Sequence, residues 1–341
     1  MPKKTVLVTG GSGYLGQHLL LFLSSRRDII LHGASSGLAT FEEDFASLCT
    51  CHTLDLSDSA AIASLLGKVK PDVVVHAAAL SSPRVCEADP AKCTQINAPS
   101  ALIDNLPAHA SLIFLSTDQV YDGTAAPYAN AAAAAPVNAY GASKLAFERM
   151  LTSRLPTRHI SLRSSLIIGP PPPKRCKKGG SFLQDCAKLL SSENGADFFV
   201  NEMRSAVAVQ DVVAIIVWAV NGGVTSHPGV YNMGGPESLS RVDIALAVAK
   251  HHGLPVNRVH AKPRPEGTGG VKSPLDITMD SSMIQRVSGV RMRKLRKVIP
   301  SAFGESNASS LAWPAPSVSV LVAICVLSAA LALGARSWSR R

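Results

Sequence analysis

Aromatic residues are scarce in this chain: three Trp, five Tyr and nine Phe make up 5% of 341 residues. Acidic residues are also few, 24 against 34 Lys and Arg, leaving a formal charge of +10. Such a balance would suit a nucleic-acid binder, but those proteins interleave their cations with aromatic side chains that stack on bases. Here the basic residues are scattered apart from two clusters, Lys174/Arg175/Lys177/Lys178 and the segment from Arg286 to Lys297, and neither contains an aromatic. No nucleic-acid partner is expected. The seven cysteines include no C-x-x-C pair and no histidine at zinc-site spacing, so reduced thiols are expected and no metal site. Charged residues are only 17% against 46% apolar, which excludes a disordered chain and is ample for a packed core.

The first residues, Met-Pro-Lys-Lys, run straight into a strand-like TVLVTG without an apolar stretch of signal-peptide length. The main domain is therefore expected in the cytosol. The opposite end differs. Ser317–Ala335 is 19 residues without a charge, preceded by WPAPS and followed by Arg336, Trp338, Arg340 and Arg341. That length can span a bilayer, and the composition predicts a single-pass, tail-anchored membrane protein with its main domain in the cytosol. The short basic tail favours a mitochondrial or plastid outer envelope over the endoplasmic reticulum.

Strand-like apolar runs at Thr5–Thr9, Ile29–Gly33, Val73–His76, Leu112–Ser116 and His159–Arg163 alternate with helical stretches. The rhythm predicts an α/β fold, a Rossmann-type doubly wound parallel sheet over 1–168. Runs such as VVVH and LIFLS are apolar throughout, as expected where helices cover both faces of a sheet. The loop GPPPPKRCKKGG then interrupts the pattern, because consecutive prolines remove amide donors. A smaller substrate-binding lobe, partly interleaved with the first, is expected over 169–304. It would contain helices at Ser181–Leu190, Val209–Val220 and Ser240–His252 and a strand-like GVYNMGG, followed by a linker at 305–316, the membrane helix at 317–335 and the basic tail at 336–341.

Gly10-Gly11-Ser12-Gly13-Tyr14-Leu15-Gly16 follows the first strand and opens a helix. Glycines at 10, 13 and 16 permit a tight turn, close approach of a pyrophosphate to main-chain N–H groups, and close helix packing. Tyr14 and Leu15 belong to the same cofactor loop. An acidic residue after the second strand would bind the 2′-hydroxyl of NAD; the chain has His32-Gly33-Ala34-Ser35-Ser36 instead. That favours NADP, with NAD as the alternative, and Ser35 and Ser36 are candidate partners of a 2′-phosphate. Tyr140 and Lys144, four apart, share a helix face, so an ammonium can sit near a phenol and lower its pKa. Such a phenol can give a proton to a carbonyl oxygen as a hydride arrives. Thr117, at the end of a strand, would orient that oxygen. His76, on a buried strand, reads as structural rather than as a base.

The ordered set LVTGGSGYLG, VVVHAAA, STDQVYDGTAAPY, APVNAYGASKLAFE, LRSSLIIG and GVYNMGG resembles the extended short-chain dehydrogenase/reductases, in the dTDP-4-dehydrorhamnose reductase-like (RmlD-like) branch. That branch also contains the regulatory β subunit of methionine adenosyltransferase. The resemblance covers roughly residues 4 to 300. It implies an NAD(P)-dependent oxidoreductase acting on CH–OH groups, with Thr117, Tyr140 and Lys144 catalytic. Asp55 would lie beside the adenine ring, and Ala77 and Ala78 beside the cofactor. The implied substrate is a small carbonyl compound such as a nucleotide 4-keto sugar, for which Arg204 is a candidate contact, and a homodimer is an expectation by resemblance. The resemblance equally implies a regulatory subunit that holds NADP and docks a methionine adenosyltransferase catalytic subunit. Ala129-Asn130 and the five alanines Ala131–Ala135 depart from the family, which has acidic residues there, and this weighs against the usual metal and substrate contacts of a sugar-nucleotide reductase.

Overall fold

The computed structural model describes residues 2–37, 39–174, 180–265 and 271–304. The linker at 305–316, the apolar segment at 317–335, the basic tail and Arg175–Lys178 lie outside the described residues. Seven parallel strands form the main sheet: β1 (Lys4–Thr9), β2 (Ile29–Ser35), β3 (Thr50–Thr53), β4 (Val73–His76), β5 (Ser111–Thr117), β6 (His159–Ser164) and β7 (Gly229–Met233). Their spatial order is β3-β2-β1-β4-β5-β6-β7. The chain therefore winds outward from β1 in both directions, and the strand order reverses between β1 and β4. In doubly wound sheets a ligand crevice opens at that reversal, beyond the carboxyl ends of the strands.

Burial explains why the strands are apolar throughout. Val6, Leu7 and Val8 are inaccessible, as are Val74, Leu112, Phe114, Ile160 and Leu162. One layer packs Leu7, Val74, Leu112 and Phe114 against Ile62 and Leu66 of the helix Ser59–Val69 and against Phe147 and Leu151 of the helix Ala139–Arg154. Local signals fix the helix starts. Asp58 accepts from the Ala60 and Ala61 amides, and Asn138 accepts from Gly141, so each satisfies amides that the first turn leaves unpaired.

Two sequence expectations change here. GVYNMGG was allotted to the second lobe, but Gly229–Met233 pairs residue for residue with Ile160–Ser164 as the last strand of the main sheet. The helix expected over 209–220 runs as an α-helix over Val209–Trp218 and widens into a π-turn at Ala219–Gly223. Continued to Ser226, it is the one helical stretch among the described residues long and apolar enough to cross a membrane, and it is mostly buried inside the fold. A second core unites the helices Phe182–Leu190, Arg241–His251 and Leu295–Ala302 through Leu183, Cys186, Ile244, Val248, Val298 and Ile299.

Candidate active site

The carboxyl ends of β1, β2, β4, β5 and β6 open into a cleft of about 1160 Å³. Every predicted site residue lines it: the glycine loop with Tyr14 and Leu15, Ser35 and Ser36, Asp55, Ala77 and Ala78, Thr117, Tyr140, Lys144 and Arg204.

At the β1 end the main chain does the work. Gly10 has φ +75°, and a Cβ there would stand 2.7 Å from the Ala78 backbone, so only glycine lets the loop turn against the strand beside it. The loop delivers Gly13 to cap the helix Tyr14–Ser24, whose first N–H groups present a partial positive charge. The Ser12 and Ser35 hydroxyls hydrogen-bond at 2.7 Å, and Ser36 is exposed just beyond them. Asp55 accepts from the Ser57 amide and hydroxyl at 2.8 and 2.7 Å. Tyr14 donates to the Pro170 carbonyl at 2.9 Å, and Gln17 accepts from the Lys174 amide at 2.9 Å, so the proline-rich strap is tied down over this helix. Lys174 itself pairs with Asp44 at 3.8 Å. Lys174 is not among the cleft residues.

Deeper in, Thr117 ends β5 and Tyr140 opens the helix Ala139–Arg154. Gly141 makes the close approach possible, because a Cβ there would lie 2.1 Å from the Gln119 carbonyl oxygen. The Tyr140 phenol and the Thr117 hydroxyl both line the cleft, close enough for Thr117 to act on the phenol's pKa. Lys144 is buried one turn on, its Nζ 4.1 Å from the centroid of the Phe114 ring. The expectation that Lys144 lowers the phenol pKa gives way to burial: desolvation pushes Tyr140 above the ordinary tyrosine value, with the neighbouring Thr117 hydroxyl pulling the other way. Burial also draws the Lys144 ammonium down to about 7, against an opposing pull from Glu148. The phenol is therefore a neutral acid at pH 7, and the lysine stands at the edge of ionisation.

Several cleft and supporting residues were given no role by the sequence reading. Asp118, adjacent to Thr117, is buried; desolvation raises its carboxyl pKa, while Arg204 and hydrogen bonds from Ser165 (2.8 Å) and Thr117 (3.3 Å) restrain the rise. Asn97 accepts from the Leu80 amide at 2.7 Å and donates to its carbonyl, fixing the loop after β4. Arg241 and Glu202 join the wall of the cleft. Burial raises the Glu202 carboxyl, but Arg241 at 2.7 Å and Arg204 at 3.4 Å hold it below the ordinary value.

Arg204 is already engaged by the protein. It lines the cleft, yet its guanidinium donates to the carbonyls of Met203, Leu275 and Pro274 at 2.7, 2.8 and 3.2 Å. A cation spent on three carbonyls and a carboxylate is a brace for the wall before it is a substrate ligand. His76 is inaccessible and meets Thr9 Oγ1 through Nδ1 at 2.7 Å; burial holds it well below its ordinary pKa, so it is neutral. The alanine run lies outside the cleft: Ala132 and Ala134 pack on the Tyr121–Tyr128 cluster. Among the described residues no group of three or more His, Cys, Asp or Glu side chains could hold a metal ion.

A glycine-loop cradle and a Thr–Tyr–Lys set at the switch point of a doubly wound sheet define a nucleotide-cleft α/β protein. The chain belongs to the RmlD substrate-binding domain family, which matches residues 4–307. It is similar to methionine adenosyltransferase 2 subunit beta of Xenopus laevis, 27% identical over 296 residues, 84% of this chain and 83% of that one. It is also similar to a probable dTDP-4,6-dihydroxy-2-methyloxan-3-one 4-ketoreductase of Streptomyces antibioticus, 30% identical over 232 residues, 67% and 69%. Among solved structures, a dTDP-4-dehydrorhamnose reductase from Bacillus anthracis in complex with NADP superposes with a TM-score of 0.71 at 21% identity, covering 89% of this chain and all of that one.

Proposed function

We propose that this chain is an NADP-dependent reductase of a keto group on a nucleotide sugar or a similar small carbonyl substrate. The carrying observation is that the Tyr140 phenol, beside Thr117 and one helical turn from Lys144, lines the same cleft as the glycine loop. The cleft fits a dinucleotide because the Gly10 position has no room for a Cβ, and the loop leads into the helix Tyr14–Ser24, whose first-turn N–H groups have no intrahelical acceptor and suit a pyrophosphate. Gly10, Gly13 and Gly16 would hold that group, Asp55 the adenosine end, and Ser35 with Ser36 a 2′-phosphate; the absence of a carboxylate at the end of β2 favours NADP over NAD. When bound, the nicotinamide supplies a hydride. Thr117 orients the carbonyl oxygen, and Tyr140, protonated at neutral pH, gives it a proton. Lys144 would hold the nicotinamide ribose, and its charge would steady the phenolate left on Tyr140. The reading is tested on the full chain in mild detergent, by NADPH and NADH fluorescence titration and by turnover of nucleotide 4-keto sugars. Tyr140→Phe should keep NADPH affinity and lose roughly 10²–10⁴-fold in turnover.

A second reading is favoured by the methionine adenosyltransferase subunit relatives, which align over 84% of the chain. In it the protein holds NADP without turnover and docks a catalytic partner; tight NADPH binding with no oxidation on any carbonyl, and co-elution with methionine adenosyltransferase, would support it. The 317–335 segment we propose as a membrane anchor that leaves the cleft in the cytosol. Sedimentation with membranes that is abolished by removing 317–341 tests that anchor.

A further inference from the structure

The lining of the cleft changes in kind where the second lobe joins it. The helix Phe182–Leu190 contributes Phe182 and Leu189, and the strand Ala196–Phe199, paired with Val259–Lys262, contributes Phe198 and Phe199. The Phe182 and Phe198 rings stand edge to face, their centroids 6.5 Å apart. Phe182 and Phe199 are half-buried, and Leu189 is 47% exposed. Apolar side chains gathered open in one cleft, unlike ones scattered singly over a surface, mark a place where a ligand rests.

The charges at this end of the cleft are already committed. A nucleotide sugar brings a doubly charged diphosphate, which a protein holds with charge-assisted donors. Among the described residues the cations lining the cleft are Lys144, Arg204 and Arg241. Lys144 is given to the nicotinamide ribose. Arg204 donates to the carbonyls of Met203, Leu275 and Pro274 and pairs with Glu202. Arg241 sends both Nε and Nη2 to one Glu202 oxygen, at 3.0 and 2.7 Å, and its guanidinium lies 4.6 Å from the centroid of the Phe182 ring. Against these two guanidiniums stand the carboxylates of Asp185, Asp197 and Glu202 in the same lining. Lys262, which donates to Asp197 at 2.7 Å, is not part of it. Acids outnumber cations here, and that balance repels a dianion.

We propose that the substrate end of this cleft takes an uncharged carbonyl compound with an aromatic or aliphatic body, seated against Phe182, Leu189 and Phe199, in place of a nucleotide sugar. The proposal rests on the reductase reading and narrows its substrate class. The chemistry is unchanged: a ketone C=O becomes CH–OH, with the hydride from NADPH and the proton from Tyr140, which regains it from water, leaving a secondary alcohol and oxidised NADP. The uncharged body is driven onto the aromatic wall by leaving water and needs no cation to hold it.

The experiment follows NADPH oxidation by the full chain in mild detergent, with benzylacetone, β-tetralone or a nucleotide 4-keto sugar as substrate. The two ketones should be turned over with kcat/KM about 10-fold or more above that of the nucleotide sugar, and Tyr140→Phe should abolish the turnover. Phe182→Ala should raise KM for the ketones about 10-fold with kcat little changed, the effect of losing one large apolar contact. Leu189→Glu, at an exposed position, should do the same and serves where Phe182→Ala unfolds. Preference for the nucleotide sugar overturns the proposal and leaves the reductase standing. So does inhibition by dTDP competitive with ketone at saturating NADPH, the sign of a diphosphate held by Arg241 or by Arg175, Lys177 and Lys178 outside the described residues. Binding of benzylacetone to the NADPH-loaded protein, read by saturation-transfer NMR, separates the two readings: a ketone that binds, is lost in Phe182→Ala and is never oxidised sinks the reductase and leaves the ligand class intact. Ketones neither bound nor oxidised overturn the proposal.

Discussion

Replacing Gly141 by alanine sets two effects of known size against each other. In a helix, Gly→Ala ordinarily stabilises by up to about 1 kcal/mol, because alanine restricts the unfolded chain and glycine does not. At this position the new Cβ would lie 2.1 Å from the Gln119 carbonyl oxygen and 2.9 Å from its carbon. Ordinary contact requires roughly 1 Å more, and overpacking a rigid neighbour costs about 1–3 kcal/mol. The neighbour is backbone, so no side-chain rotation relieves it and the steric cost should win. A net loss of about 1–2 kcal/mol lowers Tm by a few degrees, roughly 2 °C per kcal/mol for a chain of this size. The larger consequence is geometric. The helix can recover contact only by moving its first turn away from residues 117–119, which separates Tyr140 from Thr117, and a misplacement of that order costs about 100-fold in rate. Differential scanning fluorimetry and carbonyl-dependent NADPH oxidation measure both, with NADPH affinity expected to change little. A variant as stable as wild type and fully active would refute the view that this close approach sets the Thr117–Tyr140 pair.

Other tests follow from single features. Burial draws His18 down to about 4, so the folded protein resists its protonation while the unfolded chain accepts a proton near 6.5; stability should be full above 6.5 and fall by roughly 3 kcal/mol toward pH 4. Urea unfolding at several pH values should show a shallower fall in His18→Gln than in wild type. Arg204→Met strands three main-chain carbonyls in the cleft wall, while Glu202 keeps Arg241 and Arg264, and should cost about 3 kcal/mol in the same assay. Ser35→Asp places a carboxylate where a 2′-phosphate would lie and should weaken NADPH at least 10-fold while leaving NADH binding intact or improved. An unchanged NADPH/NADH preference would count against Ser35 as the selecting residue.

Much of this arrangement is legible in the chain. Strands buried on both faces announce themselves as uninterrupted apolar runs, which is why β1, β4, β5 and β6 could be read within a residue or so of their ends. β3 is the short edge strand TCHT, half polar, and it surfaced only through Asp55 beyond it. The glycine loop and the Tyr–Lys spacing are local patterns whose geometry is fixed within one turn, so the residues they name all reach one cleft. What the chain hides are contacts between distant segments. Arg204 finds the carbonyls of 274–275, some 70 residues away, and nothing about an isolated arginine signals a brace rather than a ligand. Asp118 and Glu148 look like ordinary helix-end and helix-face acids until burial is known. The place of Gly229–Met233 depends on a crossover that periodicity does not encode.

That crossover shapes how the protein must be made. β6 has β5 on one side, but its other neighbour is still unsynthesised when Ser164 leaves the ribosome, and β7 begins only at Gly229. At about 5–20 residues per second, several seconds of translation pass with an apolar strand edge unpaired, the kind of edge that recruits other chains. A nascent chain stalled in that interval carries the glycine loop, Thr117, Tyr140 and Lys144 yet lacks its last strand, and it is the stage at which a chaperone would matter most.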